Sequence, residues 1–302
     1  RITALYRPDG DGPFRTIIRE RQERYARLPI PQIFLPGERA LTISRHEGTD
    51  AVYELDLKTM EIGRKIFGDP QYDIDGISAN LTGDALERIS ITRDRPEAVW
   101  KDPRMADIQL VLDETFGRGV ATIVSTDRPR QNILFYVGHP DQRGAFYMFN
   151  TESGSTRFVG WVNSTLKDAR MNPVRTIRYK ARDGKEIPAV LTLPRLRPAR
   201  NLPLIVLPHG GPWARDAEGW DFWAQPLAEL GYAVIQPNYR GSSGFGKAWE
   251  AMSDGNWGTA MQDDLDDSIT ALAQHGIADP KRVCIMGWSY GGYAAARAAQ
   301  RN

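Results

Sequence analysis

The 302-residue sequence carries 39 Lys and Arg against 38 Asp and Glu, with 41% apolar and 10% aromatic residues. Charge that nearly cancels, with no long single-sign block, argues against a nucleic-acid groove or a polybasic membrane patch, and the apolar content against a disordered chain. Its one cysteine, Cys284, leaves no intrachain disulfide, and its apolar runs fall far short of the roughly 20 residues that cross a bilayer.

From the start to about Ala169, short alternating segments are broken by turns: RALTISR, AVYELDL, RISITRD, ATIVSTD, QNILFYVG and GAFYMFN. Apolar and β-branched residues at period two predict half-buried antiparallel strands. PRMADIQLVLDETF at residues 103–116 is the one helix-like stretch. Two strand–loop–strand layouts match at an offset of 94 residues, with Tyr53 against Tyr147, Leu55 against Phe149 and Asp56 against Asn150. Propeller blades repeat at roughly 40–50 residues, so the offset suits two blades.

Near residue 170 the pattern changes. RTIRYKARDGKEIPAVLTLP reads as a hairpin turning at Asp183-Gly184. Buried strands in LPLIVLPHGGP, YAVIQPNYRG and RVCIMG then alternate with helices expected at about 220–230 and 259–274. Wholly apolar strands alternating with helices predict a parallel sheet covered on both faces. The expected fold is multi-domain β plus α/β: a partial β-propeller (its last blades) over 1–170, followed by the N-terminal half of an α/β-hydrolase domain over 171–302. Cys284, inside an apolar strand, is expected to be a small buried residue.

Gly287-Trp288-Ser289-Tyr290-Gly291 sits between a buried strand and an alanine-rich helix, the setting a nucleophile elbow requires. Ser289 is the expected nucleophile. Gly287 and Gly291 relieve collisions across a strained turn, and Gly292 lets the helix approach the sheet. A serine attacking a carbonyl creates an oxyanion, which needs fixed N–H donors. One is expected from Tyr290, the other from Gly211 in Leu207-Pro208-His209-Gly210-Gly211-Pro212, with Gly210 the second choice. His209 reads as a loop-shaping residue, because in this fold the base follows the nucleophile in sequence.

Residues 241–247 satisfy GxxxxGK, but Ala248 stands where a magnesium-binding Ser or Thr belongs, so nucleotide binding is not expected. That loop reads instead as a border of the active-site cleft, with Tyr239 and Arg240 as substrate contacts. The acidic run Asp263-Asp264-Leu265-Asp266-Asp267 reads as a solvent face complementing a helix dipole rather than a metal site. Trp213, Trp220, Trp223, Trp249 and Trp257 cluster between the glycine-rich loops; core packing is expected to explain most, with one or two lining a substrate pocket.

HGGP, NYRGSSGFGK, WGTAMQDDLDDSITAL and GIADPKRVCIMGWSYGGY, in this order and spacing, resemble the prolyl oligopeptidase family of serine peptidases, above all its acylaminoacyl-peptidase and dipeptidyl-aminopeptidase-like bacterial members. The specific resemblance covers about residues 173–302. It implies a propeller capping a hydrolase domain that cleaves short peptides, with Ser289 as nucleophile, Gly211 and Tyr290 as oxyanion-hole amides, and no metal or organic cofactor. The family's catalytic Asp and His lie downstream of the serine, whereas all four histidines here (His46, His139, His209 and His275) precede Ser289. No convincing match appears for the paired glutamates with which dipeptidyl peptidases hold a free N-terminus.

The sequence opens on Arg1 rather than Met and closes inside a helical pattern, so it is expected to be a piece of a longer protein and, by itself, inactive. Cytoplasm and periplasm both remain open, as does a homo-oligomer. The alternatives are an α/β-hydrolase esterase, since GxSxG does not separate amide from ester substrates, and a non-catalytic propeller binding protein with a degenerate hydrolase half.

Overall fold

The computed structural model describes residues 2–7, 12–21 and 23–301. Arg1 and Asn302 lie outside the described residues. A first antiparallel pair joins β1 (Ile2–Tyr6) to β2 (Arg15–Glu20). Next come a four-stranded meander of β3 (Pro31–Leu35), β4 (Arg39–Ser44), β5 (Ala51–Asp56) and β6 (Ile62–Phe67), and a three-stranded one of β7 (Ile74–Ala79), β8 (Leu86–Thr92) and β9 (Pro96–Trp100). The helix expected at residues 103–116 is α1 (Pro103–Phe116). A second four-stranded meander follows: β10 (Ala121–Thr126), β11 (Asn132–His139), β12 (Gln142–Asn150) and β13 (Thr156–Trp161).

The remaining strands are β14 (Val174–Lys180), β15 (Glu186–Thr192), β16 (Leu202–Val206), β17 (Ala233–Pro237) and β18 (Ala278–Ile285). The helices are α2 (Ala224–Glu229), α3 (Lys247–Ala251), α4 (Ala260–Gln274) and α5 (Tyr290–Arg301). These strands form one sheet in the order β14-β15-β17-β16-β18, in which only β17, β16 and β18 run parallel. Helix α2 is shorter than the 220–230 stretch expected, because the Asp221 carboxylate accepts the N–H groups of Trp223 and Ala224 and holds the preceding residues in a turn. No helix among the described residues is long and apolar enough to cross a membrane.

The chain forms two compact units. One holds the residues up to Ala106 together with Gly244–Ala251; the other holds Asp107–Ser243 and the chain from Met252 on. The expected boundary near residue 170 therefore falls inside the second unit. A buried amide pair accounts for this locally. Gln225 Nε2 donates to the carbonyls of Asn172 (2.9 Å) and Pro140 (3.3 Å), while Asn172 Nδ2 donates to the Gln225 carbonyl. The turn between β11 and β12 is thus pinned to α2.

In the first unit, period-two alternation divides the strands between two cores. Leu41, Ile43 and Val52 join Ile74, Ile89 and Ile91 in one cluster, whereas Ala40 and Leu55 face the other, with Leu57. Phe245 of the Gly244–Ala251 segment packs on the larger cluster. The segment is also bound through polar groups. Gly246 N–H donates to Asp73 Oδ2 (3.1 Å), Lys247 N–H donates to the Gly48 carbonyl (2.9 Å), and Arg45 grips both Glu250 oxygens at 2.6 and 2.9 Å. These N–H groups of the GxxxxGK run are therefore engaged by protein acceptors and cradle no phosphate.

In the second unit, Ile205, Leu207 and Val234 face α2 through Ala224 and Leu227. Helix α4 packs on β16, β17 and β18 through buried Met261, Leu265 and Leu272. All five β17 residues are buried, as a central strand requires. Among the described residues, strand β18 pairs with β16 and stands last in the sheet order. Cys284, expected to be buried, is consequently exposed there.

Candidate active site

Strand β18 leads straight into Gly287-Trp288-Ser289, and α5 starts at Tyr290. Ser289 has φ of 55° although it is not glycine, and its side chain is exposed. A left-handed serine at a strand-to-helix turn is strained and stands clear of the sheet, as a nucleophile elbow demands. Two glycines make the turn sterically feasible. A Cβ on Gly291 would lie 2.2 Å from the Pro208 carbonyl oxygen, and one on Gly287 would lie 2.8–3.0 Å from the Gly291 backbone. A Cβ on Gly292 would sit 3.3 Å from the Gly287 oxygen, a milder crowding.

The same geometry brings the loop after β16 against the elbow. A Cβ built on Gly210 would meet Ser289 Cβ at 3.3 Å and Ser289 Oγ at 3.8 Å, so the loop passes close beside the serine. Gly211 is exposed, with φ of 119°. Among the described residues, the N–H groups of Gly210 and Gly211 donate to no protein acceptor. Tyr290 is the first residue of α5, so its N–H has no acceptor within the helix. Uncommitted donors thus lie on the serine's chain neighbour Tyr290 and on the loop that runs beside it.

His209 is buried beside this loop. Its Nδ1 is 2.8 Å from the Gly210 carbonyl oxygen and its Nε2 is 2.9 Å from Ser242 Oγ. Burial pushes the imidazole down to about 4, with the Gly210 hydrogen bond opposing and Arg215 adding to the fall. Its ring stacks on Tyr239 at 4.5 Å, and Tyr239 stacks on Tyr290 at 5.4 Å. Both ring nitrogens are taken, which fits the loop-shaping reading. None of the four histidines shares a hydrogen bond with Ser289 among the described residues.

Several expected roles need correction. Tyr239 is fully buried, and Arg240 is nearly so, bound to Asp264 and Asp183. Neither side chain is free to meet substrate. The acidic run does not face solvent as a whole either. Asp264 is fully buried against Arg240, and Asp267 accepts from Arg182 Nη2 at 2.8 Å, so these carboxylates anchor arginines of neighbouring loops.

The tryptophans do not form one cluster. Trp249 lies in the segment belonging to the first unit, against Phe245 (6.0 Å). Trp213, Trp223 and Trp257 are exposed rather than core. Trp213 lies 6.1 Å from Trp257, and Trp223 lies 6.3 Å from Trp288.

Sequence reasoning missed two polar features. Asn238 clasps the Asp216 backbone, accepting its N–H at 2.7 Å and donating to its carbonyl at 2.9 Å. The Asp216 carboxyl is pushed up to about 7, first by burial and then by the Asp221 charge. The Ser242–His209–Tyr239 network was also missed. Ser242 sits among glycines that already spelled a loop, and nothing in the local pattern marks it as buried.

A serine at the tip of a strand–turn–helix unit, next to free backbone donors, is the local architecture of hydrolases that work through a serine nucleophile. Residues 220–302 match the model of the prolyl oligopeptidase family. Over that stretch the chain is similar to this family of serine peptidases. It is 29% identical over 293 residues to dipeptidyl aminopeptidase BIII of Pseudoxanthomonas mexicana, covering 90% of this chain and 42% of that protein. To the acylamino-acid-releasing enzyme of Sus scrofa it is 34% identical over 157 residues, covering 48% of this chain and 21% of the relative. Solved structures share the fold. A Mycobacterium tuberculosis puromycin-hydrolyzing peptidase matches with a TM-score of 0.68 at 20% identity, covering 96% of this chain and 45% of that one. Pyrococcus horikoshii acylaminoacyl peptidase matches with a TM-score of 0.65 at 20% identity, covering 97% of this chain and 45% of that one. The chain spans less than half the length of the relatives it matches.

Proposed function

We propose that this chain carries the nucleophile and oxyanion hole of a serine peptidase acting on short peptides. Ser289 Oγ attacks the scissile carbonyl and forms an acyl-enzyme. The oxyanion is held by the N–H of Tyr290 and that of Gly211, with Gly210 its neighbour. The observation that carries the reading is the left-handed Ser289 in contact with a loop whose N–H groups are uncommitted. The proton shuttle and its orienting carboxylate are assigned to sequence following Asn302, in keeping with the family's chain order. Relatives named as dipeptidyl aminopeptidases and acylamino-acid-releasing enzymes support peptides with a free or blocked N-terminus as the substrate class.

The meanders before residue 170 are read as propeller blades. Tyr53, Trp100 and Tyr147, evenly spaced along the chain, each occupy the third strand of successive sheets and pair with Thr42, Arg88 and Phe135 of the second. That equivalence supports a repeat across the three meanders.

The test is a fluorophosphonate probe on the full-length protein together with peptide p-nitroanilides and p-nitrophenyl esters. Labelling at Ser289 that is lost in Ser289→Ala, with anilide cleavage, is the expected result. Ester turnover without peptide cleavage would assign the protein to the esterases. No labelling of the full-length protein would leave a binding role.

A further inference from the structure

The chain neighbours of Ser289 each begin a series of rings. Tyr290, on one side, meets Trp257 edge-on at 5.1 Å, and Trp257 lies 6.1 Å from Trp213, two residues past Gly211. Trp288, on the other side, lies 6.3 Å from Trp223, which lies 5.2 Å from Phe222. The second series is open: Phe222 is 59% exposed, Trp223 40% and Trp288 51%. Three large rings running together in water are costly for a folded chain, and such a patch marks a place where apolar groups are received.

The backbone under these rings is held. The Asp221 carboxylate accepts the N–H groups of Trp223 and Ala224 at 2.8 and 2.7 Å, and Ala224 is fully buried at the start of α2. Trp288 sits in the turn between β18 and Ser289, where its carbonyl oxygen would lie 3.4 Å from a Cβ on Gly210. The ring planes differ by 40° between Phe222 and Trp223 and by 33° between Trp223 and Trp288, closer to a common surface than to edge-on packing.

The two series serve different halves of a substrate. The oxyanion is held by the N–H groups of Tyr290 and Gly211 in the reading above, so the rings next to those residues stand on the oxyanion's side. The Trp288 series is left to the amine that departs from the tetrahedral carbon. A surface that guides an amine out also guides one in, because the two steps cross the same transition state in opposite directions.

We propose that Trp288, Trp223 and Phe222 form an acceptor platform: an amine carrying an aromatic side chain stacks there against the acyl-enzyme and takes the acyl group in place of water. The protein then makes peptide bonds as well as breaking them. This rests on Ser289 being the nucleophile. The amine nitrogen bonds to the acyl carbon, the ester bond to Ser289 Oγ breaks, and the proton that nitrogen loses ends on Oγ. Nothing else is consumed. An open platform covers one face of the incoming ring, so an aromatic acceptor should be favoured over one without a side chain about tenfold.

The experiment supplies the full-length protein with a peptide p-nitrophenyl ester as acyl donor and phenylalaninamide or glycinamide as acceptor. Chromatography measures the ratio of acyl-amide to free acid, which depends on how the acyl-enzyme divides and not on how fast it forms. Phenylalaninamide should give a saturable ratio about tenfold above that of glycinamide at equal concentration. Trp223→Ala and Phe222→Ala should lower the phenylalaninamide ratio toward the glycinamide value, while Trp223→Phe, which keeps a ring, should retain most of it. Equal ratios for the two acceptors in the wild type would overturn the proposal, whether the rings are covered by another part of the protein or simply unused. The proposal also falls if Trp223→Ala leaves the ratio unchanged, or shifts the preference among acyl groups instead. Fluorophosphonate labelling separates the two readings. A labelled Ser289→Ala that still consumes ester would overturn the nucleophile reading and this proposal with it. A labelled wild type with equal ratios, beside an unlabelled Ser289→Ala, removes the platform alone.

Discussion

Arg240 and Asp264 form a buried two-pronged ion pair. Nη2 lies 2.6 Å from Oδ1, Nε lies 2.8 Å from Oδ2, and the Arg240 N–H donates to the same Oδ2 at 2.9 Å. The pair ties the loop after β17 to the first half of α4. Removing one partner strands the other charge in a dry site, so Asp264→Ala is expected to destabilise the protein by about 3–5 kcal/mol. Chemical denaturation of the full-length protein measures this. A loss of under about 1 kcal/mol would show that the pair is solvated in solution.

Gly291 is the tightest point of the elbow, since a Cβ there meets the Pro208 carbonyl at 2.2 Å. Backbone cannot retreat as a flexible side chain does. Gly291→Ala should therefore push the loop after β16 away from Ser289 and abolish probe labelling, while Gly292→Ala, whose Cβ has 3.3 Å, should be milder. Native-like labelling of Gly291→Ala would contradict the packing described.

Ser289 itself occupies a backbone region that costs L-residues roughly 1–2 kcal/mol, a cost glycine escapes. Ser289→Gly should consequently be inactive yet more stable than Ser289→Ala by about 1 kcal/mol. Thermal melting of the two variants side by side decides the matter. Equal stability would mean that the turn relaxes once the hydroxyl is gone.

Asp216 supplies a pH signature. Its carboxyl titrates near 7 in the fold, against an ordinary 3.8. Between those values the unfolded chain has released this proton and the folded chain has kept it, so this group makes stability fall as pH rises through the window. Asp216→Asn removes the contribution. The expected result is a flatter dependence of the denaturation midpoint between pH 4 and 7, and superimposable profiles would refute it.

Much of this architecture was legible in the chain. Strands such as β4 and β5 announced themselves because both faces are defined by period-two alternation, and α1 emerged with the predicted limits. The glycines around Ser289 were legible because a strand ran in and a helix ran out. What stayed hidden was partnership. Asp264 read as a solvent charge because its arginine lies at the end of another strand, and nothing in an acidic run says which member will be dry. Cys284 read as buried because its neighbours are apolar, but among the described residues β18 has a strand on one side, and the cysteine is exposed. Tyr239 was noticed for its place beside a glycine loop, although it is buried with its hydroxyl donating to a carbonyl thirty residues earlier.

The Gly244–Ala251 segment carries a consequence for how the molecule is made. The first unit is composed almost entirely of residues up to Ala106, yet it lacks the Glu250 carboxylate on Arg45, the Gly246 N–H on Asp73 and the Phe245 ring on its larger core until residue 251 has been synthesised. Its strands can pair as they leave the ribosome, but its polar interior closes only when a much later stretch of chain arrives. Ribosome arrest before residue 244 should therefore yield a loosened, protease-sensitive first unit, and arrest well beyond residue 251 a protected one.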